Sequence, residues 1–376
     1  MLEEDQMRTD PIGRIRLKRL AGMFAVASIA LAACSSGTAS TAPSAAAPSA
    51  APATTAPSAA VAPSASTNDK PLEIAYLSFA VANSYDAPML AAAQAAAAAG
   101  NAKLTVFDAN LDPNAQVKQL QDATASGKYD AIITQPLYGA GLVEDVKKAI
   151  AQGIAVGNID QTLGADMTTA DFQVDGLSSN VAFVPSELGK KIGNLVVTAC
   201  ADLKADAAHP CNVGYIWSVK AAALDVALKK AFDEAIAPHP EIKVVSDTGE
   251  SFYTTALGLK AAQDIVAAHP DVSVIVSADQ AITGAVQAVK DIKDKVRLVG
   301  YGGGAVALQG IKSGERFGTV MQMPATEGGL GTKNLIDAIR SGKPVPGVDP
   351  LASLPDGGVV TKANVDTFLP LAEWPG

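Results

Sequence analysis

The chain is poor in the residues that most chemistry needs. Aromatic side chains make up 5% of its 376 residues, and there are three histidines and three cysteines. No Gly-x-Ser-x-Gly elbow, phosphate-loop lysine motif or His-Glu-x-x-His occurs, so the common hydrolase, nucleotide and zinc-protease signatures are missing. His209, His239 and His269 are each followed by proline shortly before an apolar run. That is turn punctuation rather than a metal site. Excess positive charge is also lacking: the net charge is −9 and the pI about 4.9, which leaves no basic footprint for nucleic acid and reads as solubility. The high apolar content is largely alanine and does not mark a membrane-spanning domain.

What is present begins with an address. Residues 14–19 are basic, and 20–33 form an apolar run of 14 residues, too short to span a bilayer. Charge followed by a short apolar core is signal-peptide grammar. The run ends Leu31-Ala32-Ala33-Cys34-Ser35, which resembles the bacterial lipobox. Residues 1–33 are therefore expected to be removed, with Met7 a second candidate start. Cys34 is expected to carry lipid. Loss of five positive and four negative charges leaves −10. Several acyl chains give a stable anchor where one does not, so the protein is expected on the outer face of the cytoplasmic membrane.

Residues 34–70 are Ser, Ala, Pro and Thr-rich and read as a linker of about 30 Å r.m.s. span. The other two cysteines, Cys200 and Cys211, flank a short polar segment. In an oxidising compartment they are expected to form a disulfide, with two free thiols as the alternative.

From residue 71, apolar strands alternate with alanine-rich helices. Strands are predicted at 72–78, 102–107, 131–134, 154–159, 213–217, 242–246, 272–277, 296–300 and 317–321. Helices are predicted at 87–99, 113–126, 142–152, 224–237 and 255–268. This is an α/β pattern of parallel sheets covered on both faces, with ligands expected at the strands' C-terminal ends. The run from Gly300 to Ala305 fits a loose dinucleotide pattern after a strand. No acidic residue near 320 could hold a ribose, so a tight turn is the better account and no cofactor is expected.

Several segments carry a family resemblance in order. They are 74–76 leading to Asn83-Ser84-Tyr85, 119–122 through 129–133, Gly153-Ile154-Ala155-Val156 through Asp160, and His269-Pro270-Asp271-Val272 through Asp279. Val299-Gly300-Tyr301, 319–324 and 360–366 complete the set. Together they resemble the type I periplasmic binding proteins, in the ribose- and galactose-binding branch. The resemblance implies two Rossmann-like lobes joined by a three-strand hinge. One lobe would hold 71–178 with 324–350, the other 179–323 with 351–376, with crossings near 178–180, 322–324 and 350–353.

It also implies a ligand between the lobes and no catalysis. Carried over by motif, Asn83 and Tyr85 are expected from the first loop, Asp160 after the fourth strand, Tyr253 as a stacking ring and Gln322 at the hinge. Position adds Asp86, Gln135, Trp217 and Asp279. Gln161 stands where the branch usually has arginine, and the helix near 221–227 lacks its arginine. Gly302 replaces the aspartate of a "GFDG" motif, and Ala278 an asparagine. The ionic sugar contacts are thus partly missing, and the cleft is expected to be roomier near 302–304.

The functional expectation is a monomeric, lipid-anchored substrate-binding subunit that delivers a sugar-like solute to an ABC permease. The alternatives are a sensory lipoprotein and a binder of a non-sugar small molecule.

Overall fold

A computed structural model describes residues 70–376. The expected signal peptide, the lipidation site Cys34 and nearly all of the linker lie outside the described residues.

The first sheet is built from β1 (Leu72–Ser78), β2 (Ala102–Asp108), β3 (Ala131–Thr134), β4 (Ala155–Asp160) and β5 (Ser179–Ala182), in the order β2-β1-β3-β4-β5. All four pairings are parallel. Three helices connect these strands: α1 (Asp86–Ala99), α2 (Pro113–Ala125) and α3 (Gly139–Ala151). The start of α2 is written locally. The Asp112 carboxylate accepts from Asn114 N at 2.8 Å, and Pro113 occupies the first turn, where no amide is needed. Every residue of β3 is buried, as an apolar run covered on both faces should be.

The second lobe begins with α4 (Pro185–Asp202) and β6 (Cys211–Tyr215). It continues through α5 (Ala223–Ile236), β7 (Ile242–Ser246), α6 (Thr255–Ala268), β8 (Val274–Ala278), α7 (Asp279–Ala288), β9 (Arg297–Gly302), α8 (Ala305–Ser313) and β10 (Gly318–Met321). The chain then returns to the first lobe as α9 (Pro324–Ser341), which packs on α1, β4 and β5. Finally β11 (Val359–Thr361) and α10 (Val365–Phe368) rejoin the second lobe. The second sheet runs β11-β10-β9-β8-β6-β7, parallel except for β11.

The first crossing lies later than 178–180. Ser179–Ala182 pairs in register with β4, and Ala182 N donates to Val348 O, so the chain leaves the first sheet only after Ala182. The second crossing is the Gln322-Met323 step between β10 and α9. Cys200 and Cys211 form a disulfide, Cα–Cα 5.7 Å, that ties the end of α4 to the start of β6. His239 and His269 sit at helix ends, their amides donating to Ile236 O and Ile265 O. Among the described residues, no cluster of His, Cys, Asp or Glu is arranged to hold a metal ion, and no helix is long and apolar enough to cross a membrane.

Candidate functional site

The C-terminal ends of β1, β4, β8, β9 and β10 face one another across the hinge and enclose a cleft. Its walls include Asn83, Tyr85, Asp86, Asp160 and Gln161 from the first lobe, and Tyr253 and Gln280 from the second, with Gln322 on the crossing itself. Two aromatic pairs bring the lobes into contact. Phe79 meets Tyr253 edge-on at 6.4 Å, and Tyr85 meets Trp374 at 5.5 Å.

The first-lobe wall is acidic. Asp86 opens α1, Asp160 ends β4, and Glu327 lies in the first turn of α9. The Tyr85 hydroxyl is within donating distance of both Asp160 Oδ1, at 3.2 Å, and Glu327 Oε2, at 3.3 Å. Behind them, Gln135 Nε2 donates to Asp160 Oδ2 at 3.1 Å and to Asp86 Oδ1, while its Oε1 accepts from Phe79 N at 2.9 Å. Burial pushes all three carboxyl pKa values up; mutual repulsion adds to this at Asp86 and Glu327. Asp160 also sits at φ +66°, in the left-handed region that aspartate tolerates better than most residues. That backbone turn, at the end of a buried strand, aims its carboxylate into the cleft.

The second-lobe wall is a hydroxyl network. The Tyr253 hydroxyl donates to Asp225 Oδ2 at 3.3 Å, Asp225 Oδ1 accepts from Ser218 N at 3.1 Å, and Ser218 Oγ meets the Tyr301 hydroxyl at 2.7 Å. Burial raises Asp225 to about 7. Tyr253 reaches the cleft because Phe252 and Tyr253 both adopt positive φ, +47° and +53°, in the loop after β7.

Three expected contacts are elsewhere. Asp279 does not line the cleft. Its carboxylate folds back over Gly300 and is taken up by Gly303 N at 2.7 Å, Thr319 Oγ1 at 2.8 Å and Arg316 Nη1 at 3.3 Å. A Cβ on residue 300 would lie 1.9 Å from Asp279 Oδ1, so glycine there is what makes room. Trp217 belongs to the core. Its indole donates to Asp247 O at 2.6 Å, and its ring packs edge-on against Tyr215. Gln135 stands behind the wall and positions Asp86 and Asp160 instead of forming it.

Sequence reasoning missed Trp374, Tyr301, Gln280, Glu327 and the apolar liners Phe79, Phe183, Leu188, Leu224 and Leu228. Tyr301 and Gln280 each adjoin a residue that was singled out, and that adjacency was the available signal. Trp374 carried none. The space expected near residues 302–304 is filled, because the Trp374 ring lies over Gly302 and its Nε1 donates to Gly302 O at 2.9 Å.

A family model described as a periplasmic binding protein domain matches residues 74–344. The D-allose-binding periplasmic protein of Escherichia coli (strain K12) is 26% identical over 234 residues, 61% of this chain and 71% of that protein. A ribose import binding protein of Haemophilus influenzae is 25% identical over 246 residues, 65% of this chain and 77% of its own length. In fold, a galactofuranose binding protein of known structure superposes with a TM-score of 0.68 at 20% identity, covering 80% of this chain and 98% of its own.

Proposed function

This chain belongs to the type I periplasmic binding protein family, in its sugar-binding branch, and on that premise we propose that it captures a sugar or sugar-like polyol for an ABC importer while held to the membrane through Cys34. It is a binding protein and not an enzyme. The observation that carries the ligand reading is the cleft itself. Hydroxyl-accepting carboxylates from one lobe face aromatic rings and amides from the other, across a hinge that two lobes can close.

The wall composition narrows the solute. Among the lining residues there is no Arg, Lys or His, while Asp86 and Asp160 are both acidic. An anionic solute would bring a further negative charge, with no cation to pair it, into a buried wall whose carboxyl groups already resist ionisation. Neutral polyols, which donate hydroxyl protons to carboxylates and lay C–H faces on Tyr85 or Tyr253, fit without such a penalty. The lipid anchor and the Ser/Ala/Pro/Thr-rich linker would keep the two-lobed body near its permease.

A thermal-shift screen of neutral sugars, polyols, sugar acids, nucleosides and aromatic acids tests the reading. The expected result is a raised midpoint with one or more neutral sugars or polyols and none with sugar acids. A midpoint raised only by nucleosides or acids would sink the sugar assignment.

A further inference from the structure

We propose that Trp374 is a specificity-determining wall of the cleft, delivered by the segment 372–376 into the space that Gly302 leaves open. The inference rests on the sugar-binding reading only for its choice of probes. The indole is 3% exposed, lines the cleft, and lies edge-on to Tyr85 of the opposite lobe, 5.5 Å between centroids and 78° between planes. Its position is held from three directions. Its Nε1 donates to Gly302 O at 2.9 Å. The carbonyls of Trp374 and Pro375 accept from Ala305 N and Val306 N, both at 2.9 Å, and so cap the first turn of α8. The neighbouring Glu373 carboxylate accepts from Thr326 N at 2.9 Å and from the Thr326 hydroxyl, at the first turn of α9.

The segment therefore caps one helix in each lobe and sets the indole between them. Gly302 is its counterpart: it has φ +132°, and a Cβ there would lie 2.7 Å from the indole ring. A side chain at 302 and the ring at 374 exclude one another. Where the family resemblance implies a charged group reaching the solute, this chain places a broad apolar plate with its one polar atom already bonded. Such a plate selects for C–H faces and against extra polar substituents at that edge of the solute.

The two tryptophans of the chain, Trp217 and Trp374, make this testable. The wild-type protein, Trp217→Phe, Trp374→Ala, Trp374→Phe and Gly302→Ala are titrated with D-allose, D-ribose and myo-inositol. Affinity is read by calorimetry, emission by fluorescence and folding by thermal midpoint. In Trp217→Phe the sole remaining indole is expected to report binding with unchanged affinity. Trp374→Ala and Gly302→Ala are expected to weaken binding roughly tenfold or more, the loss of one well-packed ring contact, and to change the order of preference among the probes.

If Trp374→Ala fails to fold, the emission of Trp217→Phe against Trp374→Phe decides. A binding signal that survives intact in Trp374→Phe and vanishes in Trp217→Phe overturns the proposal, as does wild-type affinity and preference in a folded Trp374→Ala. If none of the three probes shifts the wild-type midpoint, the same variants are titrated with whichever solute of the wider screen does shift it, and the same outcomes decide for Trp374. The sugar reading itself fails only where that solute is a nucleoside or an acid and no neutral sugar or polyol shifts the midpoint.

Discussion

Arg316 and Asp279 form an ion pair inside the second lobe, Nη1 to Oδ1 3.3 Å, with both side chains 1% exposed. The guanidinium also donates to the Thr283 hydroxyl at 2.8 Å. An aspartate that motif position offers to the ligand is thereby committed to holding α7, β9 and β10 together. Removing one partner leaves the other charged and unpaired in the interior, which costs about 3–5 kcal/mol. Arg316→Met and Asp279→Asn are therefore expected to lower the urea midpoint sharply without a matching loss of affinity in the folded fraction. A stable Asp279→Asn protein that no longer binds would return Asp279 to the cleft.

Asp160 gives the opposite pattern. Asn at this position keeps the tolerance for φ +66° while removing the charge. A hydrogen bond to a charged group contributes about 1.5–3 kcal/mol, so Asp160→Asn is expected to bind a shifting solute at least tenfold more weakly. Relief of repulsion with Glu327 and Asp86 should leave the ligand-free protein as stable or more so at neutral pH. Calorimetry paired with urea unfolding checks both halves. Unchanged affinity means the carboxylate serves the fold alone.

Asp225 sets a pH dependence. Folding raises its pKa to about 7, from about 3.9 in an unfolded chain, chiefly through burial. Between those values the folded protein keeps a proton that the unfolded chain has released. Stability is then greatest near the lower value and falls as pH rises towards 7, by an amount on the order of 4 kcal/mol. Asp86, Asp160 and Glu327 are shifted in the same direction and steepen the trend. Urea midpoints in ligand-free protein should drop from pH 5 to 7.5, and Asp225→Asn should flatten the slope. A midpoint that climbs over this range contradicts the assignment.

The disulfide closes a loop of 11 residues' separation. On the chain-entropy account a loop of that length contributes about 3 kcal/mol. The Cys200→Ser, Cys211→Ser double variant is expected to lose that much in equilibrium unfolding and to keep its affinity, since the bridge joins α4 to β6 away from the cleft walls. A loss of affinity with no loss of stability is the outcome that contradicts this.

The elements that pattern alone could locate are those with a strong local signal. β1, β3, β7 and α6 begin and end where apolar runs and helical periodicity place them. β5 escaped because Ser179-Asn180-Val181-Ala182 has no apolar run. It is a strand through its pairing with β4 and its bridge to Val348. β11 escaped for a different reason: Val359-Val360-Thr361 is only three residues, on an antiparallel edge.

As sequence, Asp160 and Asp279 look alike, each an aspartate at the end of an apolar strand. They part because Arg316 lies 37 residues beyond Asp279, and no basic side chain lies in the cleft wall beside Asp160. Sequence by itself determined the alternating architecture, the edge at which strand ends gather, and two cysteines near enough in the chain to bridge. Those follow from local periodicity and from the handedness of crossovers. Which polar groups remain free to meet a solute, and that Trp374 fills the room above Gly302, only the tertiary structure decided. A side chain's chemistry is local, but whether its bonds are already satisfied depends on residues that folding brings from far along the chain.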